Sequence, residues 1–209
     1  MNDQINEESN ILVVGLSGSL RPGSYTSMAV NIALQGAHEI GVKTEFIDLN
    51  KYNLAFCDGR RDLTAYPEDV LKLKSIVSEA QGIILGTPEY HGGLSGVLKN
   101  AIDLMGFDEF EGKMIGLIGV SGGTMGAANE LNSLRNVGRA LHAWLIPEQV
   151  SIGEAWKVFD KSGEMKDKQL EVRVKDVGRR VARFAYLHSS EKAQEFVREW
   201  EGAPQNPGG

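Results

Sequence analysis

Five short segments rich in β-formers, at residues 11–16, 42–49, 82–87, 113–120 and 144–150, alternate along this chain with stretches of helical periodicity. The first, Ile11-Leu12-Val13-Val14-Gly15-Leu16, is a continuous apolar run, as expected of a strand covered on both faces. Residues 26–40 carry Met28, Ile32, Ala33, Ala37 and Ile40 near helical spacing, and Gly41 stops them. Residues 67–80 read as a helix with Pro67 near its first turn, and residues 125–141 as another. Residues 165–188 form a long, charged, amphipathic closing helix. Strands that alternate with helices join through right-handed crossovers, which predicts an open α/β architecture: a parallel sheet with helices on both faces.

The expected strand order is 2-1-3-4-5. In such sheets a ligand sits beyond the carboxyl ends of the strands, near the point between strands one and three where winding reverses. Three loops therefore matter. The first runs Gly15-Leu16-Ser17-Gly18-Ser19-Leu20-Arg21-Pro22-Gly23-Ser24-Tyr25-Thr26 into a helix, whose N-terminus offers unpaired N–H groups and a positive dipole end. Ser17, Ser19, Ser24 and Thr26 add hydroxyls and Arg21 a cationic fork, a donor set that suits a terminal phosphate monoester better than a bridging pyrophosphate. No Gly-Lys-Ser/Thr closes the loop, so it is not a magnesium-nucleotide loop. Gly15, Gly18 and Gly23 fit the dinucleotide fingerprint badly, although Asp48 ends strand two as a ribose-binding acid would. A plainer reading, in which Ser24 and Thr26 only cap a helix, stays open.

The second loop leaves strand three as Pro88-Glu89-Tyr90-His91-Gly92-Gly93, and the third leaves strand four as Ser121-Gly122-Gly123-Thr124. A rigid proline turn and paired glycines let backbone groups approach a flat ligand closely. Gly18-Ser19-Leu20-Arg21-Pro22-Gly23-Ser24, together with Pro88-Glu89-Tyr90-His91 and the later Gly96, Lys99, Asn100 and Asp103, resembles the motifs of the NADPH-dependent FMN reductase family. That resemblance spans roughly residues 10–187. It implies a flavodoxin-like three-layer sandwich. Ser17, Ser19, Arg21, Ser24, Tyr25 and Thr26 would hold the FMN phosphate and ribityl chain, Pro88, Glu89, Tyr90, His91 and Gly92 the isoalloxazine, and Ser121, Gly122 and Gly123 its pyrimidine edge. His91 stands where the family usually has Asn, and Leu104-Met105-Gly106-Phe107 replaces a W-x-S-R stretch with an arginine sometimes found at a subunit contact.

The same resemblance implies ping-pong hydride chemistry, from NADPH or NADH to flavin N5 and on to a small-molecule electron acceptor such as a flavin, quinone, azo compound or metal oxyanion. A homodimer or homotetramer is implied too. No side-chain acid, base or nucleophile is required, because the flavin carries the chemistry. Glu89 reads as a loop carboxylate rather than a general acid, and His91 as a loop histidine rather than a proton relay. Tyr90 either flanks the flavin or packs beneath its loop. Cys57, near Arg60 and Arg61, reads as an inert thiol, and Lys99 and Asp103 as helix-surface or subunit contacts. Trp144 and Trp156 are expected in the core or an interface, and His142 at a helix C-terminus. Rival readings are a flavodoxin-type electron carrier, whose flavin faces are usually shielded by aromatics, and a non-enzymatic flavin-binding regulator.

Charge and cysteine usage narrow the classes. A formal net charge of -6 disfavours nucleic acid, so any anion must be held locally. One cysteine in 209 residues rules out an intrachain disulfide or a cysteine-cluster metal site, as suits a reducing, cytoplasmic setting. No stretch reaches the roughly 18 apolar residues that would span a bilayer, so no membrane association is expected. Residues 1–10 read as a disordered leader rather than a signal, residues 11–188 as the FMN-binding domain, and residues 189–209 as a partly disordered extension whose first part could lengthen the last helix. Residues 50–66 form a long excursion whose role the sequence does not reveal.

Overall fold

Each segment of β-formers becomes a strand in the computed structural model, which describes residues 10–199 apart from 61, 192, 193, 196 and 197. The expected leader, apart from Asn10, the expected tail from residue 200 onward, and Arg61 lie outside the described residues. In chain order the elements are β1 (Leu12–Ser17), α1 (Tyr25–His38), β2 (Lys43–Ile47), α2 (Glu68–Glu79), β3 (Gly82–Tyr90), β4 (Gly93–Leu94) and α3 (Gly96–Asp103). There follow α4 (Phe107–Phe110), β5 (Met114–Val120), α5 (Ala128–Ala140), β6 (Trp144–Ile152), α6 (Ala155–Val158) and α7 (Lys168–Ser189). The main sheet runs β2-β1-β3-β5-β6 with every neighbour parallel, so its five long strands keep the predicted order.

Alternation along the strands divides the core in two. Val13, Ile84 and Ile118 face α1 and α7, while Val14, Leu16, Ile83, Leu85 and Leu117 face the layer that includes α2, α3 and α5. On the first face the α1 and α7 backbones touch: a Cβ on Gly178 would lie 1.7 Å from the Ala33 carbonyl oxygen. At the rim of that contact Glu39 accepts from Lys175 at 2.7 Å and from Arg179 at 2.5 Å. The Lys175 bond, and then the Arg179 bond, hold the Glu39 carboxyl below its usual 4.5.

Several boundaries differ from expectation for local reasons. The closing helix starts at Lys168 because the Asp167 side chain caps it, accepting from the N–H of Gln169 and Leu170, while Met165 is buried and bridges to Phe159. It ends at Ser189 because Ser190 is extended; beyond that break the described residues 191, 194, 195, 198 and 199 are helical, and the rest of 191–201 lies outside the described residues. Strand β3 continues through Pro88 to Tyr90 and folds back as the two-residue β4, which pairs antiparallel with it. Pro88 lies past the last residue paired with β1, Gly86, where its missing N–H leaves no gap in that ladder.

The 50–66 excursion contains a helical turn at each end, Leu49–Lys51 and Leu63–Ala65. Asn100 of α3 pins it, accepting from the Cys57 N–H at 2.9 Å and donating to the Ala55 carbonyl at 3.0 Å. The Cys57 thiol donates to the Asp103 carbonyl, and the Arg60 guanidinium is committed to the Asp58 carboxylate. No described helix is long and apolar enough to cross a membrane.

Gly178→Ala should therefore cost about 2–3 kcal/mol or more, read as a lowered urea midpoint, because backbone rather than a side-chain tip must move. Glu39, with its pKa depressed on folding, contributes stability that is in place above pH 4.5 and lost as the pH falls through the lowered value. Thermal melts of Glu39→Gln should accordingly show a flatter fall below pH 4.5 than those of the parent chain.

Candidate functional site

The first loop is seated by a residue without a side chain. Gly18 donates its N–H to the Gly86 carbonyl at 2.8 Å, and its own carbonyl accepts from the Ser95 hydroxyl at 2.6 Å. A Cβ at Gly18 would lie 2.6 Å from Ser95 Oγ and 2.7 Å from Leu98 Cβ, so only glycine permits this approach to α3. Ser95 also caps α3, accepting from the Leu98 N–H, and its own N–H donates to the Thr87 hydroxyl. One buried serine thus stitches the first loop to the second.

Ser24 caps α1 by accepting from the Ser27 N–H at 3.3 Å, and the Met28 N–H closes the first turn on the Ser24 carbonyl. Helix geometry leaves the N–H groups of Tyr25 and Thr26 with no partner inside α1. The Arg21 guanidinium lies 5.4 Å from the centre of the Tyr90 ring, and among the described residues no carboxylate pairs with it. Tyr25 stacks on Phe159 at 5.4 Å.

Glu89 latches the other two loops together. One of its carboxylate oxygens accepts from the Gly92 N–H at 2.6 Å and the other from the Ser121 hydroxyl at 3.2 Å. Ser121 Oγ in turn accepts from the Gly123 N–H at 3.0 Å. The Ser121 N–H donates to the Ile152 carbonyl, and its own carbonyl accepts from Ala155.

Between these loops lies a cleft of about 440 Å³, inside the range of roughly 300–1,000 Å³ usual for small-ligand sites. The first loop contributes Ser19, Arg21, Ser24, Tyr25 and Thr26, the second Pro88, Glu89 and Tyr90, and the third Ser121 and Gly122. The other named residues support the walls rather than form them. Ser17 is buried and accepts from the Ser27 hydroxyl, and Gly123 hydrogen-bonds to Ser121. His91, left-handed at φ 55°, and Gly92 make the exposed turn into β4. Tyr90 is exposed along the cleft rather than packed beneath its loop.

Pro22, Gly23, Val120, Ala155 and Trp156 also border the cleft, and sequence reasoning did not name them as site residues. Of the two places expected for Trp156, the structure excludes the core: it lies in neither core layer, is 57% exposed, and borders the cleft from α6. Trp144 is exposed as well, against the His188 ring. His142 sits past the end of α5 but directs its ring to Glu111 and Phe107. Lys99 and Asp103 pair with each other on the surface of α3.

The donor set tests the fit of a flavin mononucleotide. The first loop gives the cleft hydroxyls, two spare helix N–H groups and a cation unpaired by any described carboxylate, as a phosphate dianion needs. The single acidic wall residue, Glu89, is already occupied by the loops, and Pro88, Tyr90 and Val120 offer flat or apolar surface. A sheet in this order, with such a cleft at its switch point, defines a flavodoxin-like mononucleotide-binding protein.

Comparison with known proteins places it more closely. Residues 11–157 match the family described as NADPH-dependent FMN reductase. The chain is 30% identical over 182 residues to the NADPH-dependent FMN reductase ArsH of Shigella flexneri, across 85% of this chain and 69% of that one. It is 43% identical over 93 residues to an NADPH azoreductase of Bacillus sp. (strain OY1-2), a match spanning 44% of this chain and half of that protein. Among solved structures, a flavoenzyme NAD(P)H:(acceptor) oxidoreductase from Paracoccus denitrificans has a TM-score of 0.68 at 23% identity, over 85% of this chain and 98% of that one. An archaeal flavodoxin has a TM-score of 0.59 at 12% identity, over 84% and 99%, and both likenesses speak to the fold alone. The chain belongs to the NADPH-dependent FMN reductase family, a class of FMN-dependent NAD(P)H oxidoreductases.

Ser95→Ala should remove the cap of α3 and leave the buried Gly18 carbonyl without its donor. A loss of about 1–3 kcal/mol in urea unfolding is expected, together with weaker FMN retention.

Proposed function

We propose that this chain is a cytoplasmic reductase, assembled as a homodimer or homotetramer, that passes electrons from NADPH, and also NADH, to a small acceptor such as a flavin, quinone, azo compound or metal oxyanion. Residues 11–188 form its FMN-binding domain in this reading. The observation that carries it is the lining of one continuous cleft, which joins Arg21 and the α1 N-terminus to the flat and apolar surface of Pro88, Tyr90 and Val120. Bound FMN supplies hydride transfer between the nicotinamide and the acceptor in turn.

The chain's own residues bind and align. Arg21, Ser19, Ser24 and Thr26, with the spare N–H groups of Tyr25 and Thr26, hold the phosphate and keep the ring from drifting along the cleft. Pro88 and Tyr90 would bracket the ring, and Gly122 would present its backbone N–H to the polar edge, where negative charge grows on reduction. Ser121 and Gly123, whose N–H groups go to the Ile152 carbonyl and the Ser121 hydroxyl, would shape that loop. Ser17, through its hydroxyl, and His91 and Gly92, through the backbone, shape the loops. Glu89 acts as a latch: its oxygens are committed to Gly92 and Ser121, so it keeps two loops in register rather than moving a proton.

Purified protein should show a flavin visible spectrum, and anaerobic titration with NADPH should bleach it. Arg21→Ala should weaken FMN binding by about tenfold or more, the worth of a charged hydrogen bond, and by more than Glu89→Gln does. Colourless protein that stays colourless with added FMN defeats the reading, and the reverse ranking of the two variants defeats the site assignment.

A further inference from the structure

The backbone goes to unusual lengths to present Trp156. A large indole 57% exposed at the mouth of a cleft is not there for the core. The residue two before it, Glu154, is left-handed at φ 44°, ψ 45°, a conformation uncommon away from glycine and one that persists only where its surroundings over-determine it.

Most of those surroundings belong to the third loop. The Glu154 N–H donates to the Gly123 carbonyl at 3.0 Å, and the Ala155 N–H donates to the Ser121 carbonyl at 3.1 Å. A Cβ on Gly153 would lie 3.0 Å from the Gly123 carbonyl oxygen. The strained corner is therefore clamped to the loop that walls one side of the cleft, and the next turn of chain delivers the indole beside it. Lys157 lies 4.9 Å over the ring and is paired with Glu154 at 2.6 Å, so the side chain is steered as well as the backbone.

We propose that Trp156 is a specificity-determining residue: it forms an aromatic wall against which a flat, ring-shaped electron acceptor docks, and so favours such acceptors over compact inorganic ones. This rests on the oxidoreductase reading above and deepens it by naming the acceptor class. Strand β6 carries no motif that announces the role, because the wall is built from a strained corner beyond it. An offset-stacked or edge-on contact with a quinone or azo-arene is what an exposed indole supplies, whereas a hexacyanoferrate ion has no ring to stack.

Two measurements on full-length protein test it. In steady-state NADPH oxidation, Trp156→Ala should lower the ratio of kcat/KM for a naphthoquinone to that for ferricyanide by about tenfold, mostly through KM, and Trp156→Phe should restore most of it. In the second, the Trp156 indole N–H signal, identified by its disappearance in Trp156→Phe, is followed by NMR while the naphthoquinone is added without nicotinamide, to protein as purified. That signal should shift and the Trp144 signal should not. An unchanged kinetic ratio in Trp156→Ala, or an indole signal indifferent to the quinone, overturns the proposal. Should the parent chain oxidise NADPH with neither acceptor, the oxidoreductase reading falls, and the titration still decides whether Trp156 is a docking wall.

Discussion

A single close approach, the first loop against the N-terminus of α3 at Gly18, sets the geometry of the whole rim. Because Gly18 has no Cβ, Ser95 can reach its carbonyl while capping α3 and receiving the Thr87 hydroxyl at its own N–H. Those bonds fix where β1 and β3 release their loops, and hence how far the start of α1 stands from Pro88 and Tyr90. From there a second chain of contacts runs outward, from Tyr90 to Arg21 on one side and from Glu89 through Ser121 to Ala155 on the other. Loops usually vary and move. These three are tied to one another by hydrogen bonds, which is how a ligand can be gripped by connecting segments.

Electrostatics at this rim run against the protein as a whole. With a net charge of -6 the general field repels a phosphate, so affinity must come from local donors. The arrangement meets that need by exclusion: the acidic residue closest to the cleft, Glu89, has both oxygens engaged by Gly92 and Ser121, and no described carboxylate neutralises Arg21. Glu39, Asp58 and Asp160 are held ionised elsewhere by cations, hydroxyls or backbone N–H groups of their own. Separation of charge, rather than its sum, makes an anion site on an acidic surface.

Legibility in the sequence followed physical scale. Strand and helix positions were readable because apolar periodicity is a long-range average over many residues, and burial on both sheet faces enforces it at Val13, Ile84 and Ile118, whereas the strand order followed from the architecture that five alternating strands suggest. The phosphate seat was readable because hydroxyls and a cation cluster within a few residues. Ser95 was not, since its role depends on a neighbour far away in the chain, and a serine before a helix looks like any cap. Met165 was mistaken for helix because its apolar side chain continues the α7 stripe, while Asp167, two residues on, supplies the stronger signal as a cap. The cleft position of Trp156 is not legible for a related reason: a lone tryptophan reads as core or interface, and nothing local declares that Glu154 will adopt a left-handed turn.

That turn also explains how one scaffold can change acceptors without changing cofactor. The phosphate seat and the Glu89 latch lie on loops after β1 and β3, deep in the network anchored at Gly18, where substitution disturbs the sheet itself. Trp156 lies after the edge strand β6, attached to the cleft through two backbone hydrogen bonds and a strained corner but contributing nothing to either core layer. A side chain in that position can be exchanged for a smaller or more polar one at little cost in folding energy, because few buried contacts are lost. Cofactor grip and acceptor choice are thus carried by different strands, and the edge of the sheet is the place where a family with one chemistry has room to diverge.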